Sequence, residues 1–304
     1  MAGIAFPIPP MPQDVPYDYI SKVSAALTAS STANRVDLSD IDNTIHRIML
    51  TLKGLQNSTS LAPTRANTLA AMGTVAIERA GSKIWSIDAD DLHNYQVARY
   101  NGNVLFEVAA STDDRAFSLG IIVDSSPYST RTWVDPRFGW RRNGQSFGFN
   151  LETGAYTGLD TLTYELTLYM SNLKTGHALN IRQNYAKSTT NAGKDDISLG
   201  QGNIGLSEIQ WFDTTTYDDG ITAHTGVSVD RFSVLRSDKE DVLRAIRASS
   251  MRQSSTQEGD VSDEGAGYFQ IAPALLLNKP TKLQVLGGSA ADAARVNVGL
   301  LEPN

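Results

Sequence analysis

The sequence predicts a mainly β protein, built as an antiparallel β-sandwich or a jelly-roll-like barrel. Three observations carry this prediction. The stretch TLTYELTLYM, residues 161–170, alternates strictly with a period of two. Many shorter strand-like runs are separated by clusters of Gly, Asn, Asp and Ser. Two Asn-Gly dipeptides, at Asn101-Gly102 and Asn143-Gly144, stand between apolar runs where two-residue hairpin turns belong.

The chain opens with MAGIAFPIPPMPQDVP, in which Pro7, Pro9, Pro10, Pro12 and Pro16 fix φ repeatedly and remove amide donors. Residues 1–16 are therefore expected to form an extended arm rather than a helix or a central strand. Ile4, Phe6, Ile8 and Met11 give it an apolar character, and a stiff arm loses little entropy on docking. Those four residues are the candidate assembly contacts.

A short helix is predicted over 17–28, with Ile20, Val23 and Leu27 on one side. A second is predicted over SDIDNTIHRIMLTLKGL, where Leu38, Ile41, Ile45, Ile48, Leu52 and Leu55 recur at three and four residues. Ser39 and Asp42 resemble a capping box, and Gly54 stands near the expected stop. His46 would then lie on the partly exposed flank of that helix. The organisation read from the sequence is thus an arm at 1–16, a helical segment at 17–60 and a β-rich body at 61–304.

Within the body, Leu162, Tyr164, Leu166, Leu168 and Met170 form one face of a half-buried strand. Weaker strands are expected at TVAIER, AFSLGIIVD, HALNIRQNYA, TGVSVDRFSVL, KLQVL and ARVNVGLL. A helix near 238–249 interrupts them, opened by Ser237 and Glu240, and residues 252–267 read as a mobile polar loop. Strands without alternating helices favour antiparallel sheets.

The stretch RFGWRRNGQSFGFN, residues 137–150, sets four aromatics among three arginines. A hairpin turning at Asn143-Gly144 pairs Trp140 with Phe147 and Phe138 with Phe149, so all the aromatics share one face. Aromatics clustered this way read as core. The alternative is a surface aromatic shelf, with Arg137 and Arg141 as partners for a ligand and Trp133 and Trp211 as further exposed contacts. A second hairpin is expected in YQVARYNGNVLFEV, pairing Val97 with Phe106 and Tyr95 with Val108.

Motifs that carry chemistry fail on context. GQGNIG, at 200–205, has the spelling of a dinucleotide loop, with Asp218 and Asp219 beyond it, but lacks a buried strand before and a helix after. His46, His93, His177 and His224 form no zinc-type pair, and there is no cysteine to complete a site. No G-x-S-x-G elbow is present. DADD at 88–91 and YDDG at 217–220 lack calcium-loop spacing, and the loop beginning at Asp260 has Ile271 where a bidentate Glu belongs. The sequence therefore predicts a non-enzyme with no cofactor and no metal site.

Composition agrees with a folded chain. Of 304 residues, 41% are hydrophobic and 19% charged, enough to bury a sizeable core. A net charge of -7 opposes general attraction to polyphosphate. The N-terminus lacks a basic leader and an uninterrupted apolar run, so cytosolic synthesis without membrane insertion is expected.

A stiff apolar arm, N-terminal helices, a strand-rich body with polar loops and no cysteine together resemble the coat and shell proteins of non-enveloped viruses and phages. That resemblance implies a β-barrel body, self-assembly through lateral interfaces, an arm docked on a neighbouring subunit or another shell layer, and a place in the virion. It departs from coat proteins with Arg-rich arms, because residues 1–60 hold Lys22, Arg35, Arg47 and Lys53 against five aspartates. Direct genome binding by a basic arm is not expected. The alternative function is a carbohydrate-binding or host-attachment β-sandwich using exposed aromatics such as Trp133, Trp211 or Tyr217. A glycosidase, acting through paired carboxylates, stands third.

Overall fold

The computed structural model describes residues 5–13, 17–23, 27, 34–56, 72–100, 106–108, 115–154, 159–188, 194–199, 201–213, 223–229, 232–236, 266–278, 281–286 and 293–304. The chain divides into two compact units. One is formed mainly by residues 10–179 with Asn304, the other mainly by residues 1–9, 180–254 and 261–303.

The 10–179 unit contains β1 (Asp18–Val23), β2 (Asn34–Asp37), β3 (Thr44–Gln56), β4 (Met72–Arg79), β5 (Ser82–Asp88), helix α1 (Ala89–Tyr100), β6 (Phe106–Val108), β7 (Arg115–Asp124), β8 (Phe147–Thr153) and β9 (Leu159–Ser171). They form two antiparallel sheets, ordered β1-β9-β3-β7-β6 and β2-β8-β4-β5. The alternation read in residues 161–170 is present on β9, whose Leu162, Tyr164, Leu166, Leu168 and Met170 are buried. β3 places Leu50 opposite Leu166 and Ile48 opposite Leu168, extending that face. Across the core, the other sheet contributes Val75, Ile77 and Phe149. The Tyr164 hydroxyl donates to the Asn34 carbonyl at 3.3 Å, linking the two sheets. Each such fully buried aliphatic or aromatic side chain contributes about 1.5–3 kcal/mol.

Both N-terminal helices are corrected to strands. Residues 18–23 pair with β9, and Thr44–Gln56 lies between β7 and β9. Ile45, Ile48 and Leu52 satisfy a helical spacing, but Ile48, Leu50 and Leu52 also satisfy a period of two, and all three are fully buried. Leu55, expected on the helix core face, is exposed. A β-bulge between Ile45 and Arg47 shifts the phase and hides the alternation from a reading of spacing alone. Residues 17–60 therefore contribute strands to the same sheets as residues 72–171, where described.

The second hairpin is corrected to a helix. α1 buries Leu92, Tyr95, Gln96 and Tyr100, a helical spacing. The Gln96 side chain acts like a strand neighbour: its Oε1 accepts from the Ile122 N–H at 3.0 Å, and its Nε2 donates to the Ile122 carbonyl. β6 pairs with β7, not with residues 95–97.

The other unit holds β10 (His177–Ser188), most of which follows residue 179, with β11 (Lys194–Ser198), β12 (Gly205–Asp213), β13 (Ala223–Val229), β14 (Phe232–Arg236), β15 (Ala266–Leu276), β16 (Thr281–Leu286) and β17 (Ala293–Pro303). Its sheets are ordered β10-β17-β12-β15 and β11-β16-β13-β14. Gly205 opens a strand rather than a helix, which removes the dinucleotide-loop context. The helix near 238–249 and residues 252–265 of the expected mobile loop lie outside the described residues, as do Tyr217 and Asp218. Ala266 and Gly267 are strand, so the loop ends before them.

Candidate functional site

Two places concentrate the candidate residues: the arm and the loop between β7 and β8. In the arm, Ala5 forms an antiparallel bridge to Leu275 on β15, an edge strand, and the Phe6 N–H donates to the Ala274 carbonyl at 2.6 Å. Phe6 is 2% exposed. Its ring fills the space of the missing Gly205 side chain, where a Cβ would lie 2.7 Å from ring carbons. Phe6 is thus seated on its own chain, where the sequence reading looked to a neighbour. Ile8 is half-buried and Met11 is exposed. Ile4 lies outside the described residues.

The turn at Asn143-Gly144 has the positive φ values of a type I′ turn, 49° and 74°, and the Gln145 N–H donates to the Arg142 carbonyl at 2.9 Å. The hairpin expected around it does not continue, which is a further correction. Trp140 pairs with Ile45 on β3, while Phe147 pairs with Arg79 on β4. All four aromatics are nonetheless core: Phe138, Trp140, Phe147 and Phe149 are buried.

Upstream, residues 124–137 are held by two buried acids. Asp124 ends β7 and receives Arg47 Nε at 2.5 Å and Nη2 at 2.8 Å, with the Tyr100 hydroxyl donating at 2.5 Å. Arg47 continues outward to the carbonyls of Arg131 at 3.2 Å, Thr130, and Trp133 at 3.4 Å. Burial pulls the guanidinium pKa down, but bonding to Asp124 outweighs it and the net shift is upward. Burial is also the main cause that raises the Tyr100 pKa well above its ordinary value. The second acid, Asp135, accepts from Ser126 Oγ at 2.8 Å and from Arg137 Nε and Nη2, each at 2.9 Å.

Arg137 is therefore committed to Asp135 and to the Tyr128 ring, 5.3 Å away, rather than turned to a ligand. The Asp135 hydrogen bond is the main cause that raises its pKa. Arg141 is half-buried, its N–H donating to Asn304 Oδ1 at 3.3 Å. Trp211 lies on β12, in register with Gly267 and Val296. Trp133 is exposed, at 42%, whereas Arg137 and Arg141 are half-buried. The sequence carried one sign of the Arg47 network: an arginine inside the apolar run IHRIMLTL demands a buried partner.

His46 is also corrected: it is fully buried on β3, not on a helix flank. Its Nδ1 lies 2.7 Å from the Phe138 carbonyl, so that nitrogen carries the proton, and Nε2 accepts from Ser171 Oγ at 2.6 Å. Burial lowers its pKa against the Phe138 bond and the Asp135 charge, which raise it. With the folded value below the unfolded value of about 6.5, the unfolded chain takes up more protons as pH falls. The stability is present above about pH 6.5 and is lost on acidification. Thermal melting should show wild type losing more stability between about pH 7 and 5 than His46→Asn does. Parallel curves would remove His46 from that role.

Among the described residues, no cluster of three or more His, Asp or Glu side chains is arranged to hold a metal, and no helix is long and apolar enough to cross a membrane. No protein-family model matches the sequence, and no curated protein matches it either. In three dimensions the chain is similar to the major capsid protein P2 of bacteriophage PM2, with a TM-score of 0.61 and 9% identity over 95% of this chain and 98% of that one. It is similar to the major capsid protein (MCP) of STIV, with a TM-score of 0.65 and 12% identity over 93% and 96%. A chain of the PBCV-1 virus capsid matches at a TM-score of 0.57 and 9% identity over 96% and 95%. The chain has the fold of viral major capsid proteins. The match spans both units of this capsid-type fold, and the resemblance read from the sequence is present in three dimensions.

Proposed function

We propose that the chain is a structural subunit that assembles with copies of itself into a viral shell and resides in the virion. The observation that supports this most strongly is the end-to-end match to capsid chains, above nine-tenths of each partner's length. A fold can host many functions, so the argument also rests on what the residues do. The described chemistry is spent on holding the chain rigid: Arg47 and Arg137 face buried acids, and the aromatics of 137–150 are core. No catalytic role and no basic genome-binding arm form part of the proposal.

In this reading the arm has two parts. Ala5 and Phe6 seal the β15 edge, an exposed strand edge being otherwise open to uncontrolled pairing. Ile8 and Met11 lie beyond the seal and dock on a neighbouring subunit or an underlying layer. The proline-rich path between them is stiff, which lowers the entropy cost of that docking.

Light scattering after size exclusion, with negative-stain imaging of the peak, tests the shell reading directly. Wild type should form closed shells, rings or regular sheets; a monomer under all assembly conditions would refute it. Deleting residues 1–16 should lower both melting temperature and assembly, because Phe6 goes with the arm. The double variant Ile8→Ser/Met11→Ser should keep the melting temperature and still assemble poorly. If it assembles like wild type, the docking role of the arm is wrong while the shell reading stands.

A further inference from the structure

The segment STRTWVDPR, residues 129–137, puts the largest apolar side chain in a run of small and charged neighbours. Thr130, Arg131, Thr132 and Trp133 are exposed, whereas Val134, Asp135 and Pro136 are buried. Among the described residues the exposed large apolar side chains are Met11, Ile20, Leu55 and Trp133. Trp133 has the most area to gain from burial.

The loop that carries it is fixed from below. One guanidinium, that of Arg47, 3% exposed, ties the loop down by donating to the carbonyls of Thr130, Arg131 and Trp133. The Thr130 N–H donates to the Trp133 carbonyl at 2.9 Å, and the Trp133 N–H to Thr130 Oγ1 at 3.1 Å. On the far side, Asp135 N–H donates to Ser129 Oγ at 3.0 Å. A loop ordered in advance loses little entropy on association, and Trp and Arg are the residue types that dominate interface energetics.

The direction of these bonds selects the kind of partner. A saccharide site needs polar groups converging on the ligand beside an aromatic ring. Here the carbonyls of 130, 131 and 133 turn inward to Arg47, and the Thr130 hydroxyl accepts from the Trp133 backbone N–H. What faces outward is an indole with Arg131 and Thr132 beside it, and no acid in residues 129–134. That combination fits an apolar patch rimmed by carboxylates. The chain itself carries 33 acidic residues against 26 basic ones, so a second copy offers the complementary charge.

We propose that the Thr130–Trp133 tip is an inter-subunit contact, with Trp133 packed against an acid-rimmed apolar surface of a second copy of this chain. The proposal rests on the shell reading above. Sedimentation velocity and negative stain on wild type, Trp133→Ala and Arg131→Glu, with melting curves for each and a glycan array on wild type and Trp133→Ala, test it. Both variants should melt like wild type. Trp133→Ala should weaken self-association at least about 30-fold, the loss expected of an interface hot spot, and Arg131→Glu should weaken it less. A wild type that assembles together with a Trp133→Ala that assembles equally well overturns the contact and leaves the shell reading intact. Saturable glycan binding by wild type that Trp133→Ala loses overturns it in favour of a ligand site. A wild type that never self-associates removes the shell reading and the contact with it.

Discussion

Replacing Arg47 with methionine should destabilise the 10–179 unit by about 3–5 kcal/mol, the loss expected when one partner of a buried ion pair is removed. Arg47 and Asp124 are 3% and 1% exposed, so the remaining carboxylate would have no solvent to turn to. Tyr100 would still donate to it, but one neutral donor does not replace a bidentate guanidinium. Asp124→Asn should cost a similar amount, by leaving Arg47 without its counter-charge. The double variant Arg47→Met/Asp124→Leu should recover a large part of the loss, because an apolar pair of similar volume often matches a buried ion pair. Recovery should be incomplete, since the carbonyls of Thr130, Arg131 and Trp133 lose their donor wherever Arg47 is replaced. Denaturant unfolding resolves these differences. If either single variant lies within about 1 kcal/mol of wild type, the ion pair is not what holds the loop.

How much of this was legible in the sequence depends on whether the signal was local. The β9 alternation is local and was read correctly, because a half-buried strand writes its period directly into five consecutive pairs. β3 was misread because its bulge at 45–47 breaks the period, and because Ile41, Ile45, Ile48, Leu52 and Leu55 also fit a helix. Thr44, Ile45, Ile48 and Thr51 are β-branched, a signal for strand that outweighs the coincidence of spacing. The two Asn-Gly dipeptides show the same limit. At Asn143-Gly144 the backbone is as read, since positive φ is a local property. Which strands then pair is decided by distant partners, Ile45 and Arg79. After α1 the same dipeptide stands where a helix stop is equally at home.

For the candidate residues the division is the same. Core burial of the aromatics in 137–150 follows from their type and clustering, although the hairpin register expected for them does not form. The Asp135–Arg137 clamp, two residues apart, is a local feature, and it commits Arg137 to the framework. The Arg47–Asp124 pair spans 77 positions, and Phe6 meets Gly205 across almost 200; neither is a property of any sequence window. The long-range contacts, not the motifs, separate the exposed Trp133 from the buried Trp140.

That separation yields the second large effect. Trp140→Ala should destabilise the 10–179 unit by about 3–5 kcal/mol, the range for removing a buried aromatic. Trp140 is fully buried, exchanges backbone hydrogen bonds with Ile45 at 2.9 Å in both directions, and donates its indole N–H to the Leu179 carbonyl at 3.1 Å. Trp140→Phe keeps most of the ring contact and loses the donor, so about 1–3 kcal/mol is expected from the stranded carbonyl. Because Ile45 lies two residues from Arg47 on β3, the losses from Trp140→Ala and Arg47→Met should not add independently. Measured beside Trp133→Ala, the series distinguishes framework from contact. Trp140 variants should change unfolding and carry assembly down with it, whereas Trp133→Ala should change assembly at constant stability. If Trp140→Ala unfolds within about 1 kcal/mol of wild type, residues 137–140 are not core. The aromatic shelf set aside on burial would then regain its claim to a ligand.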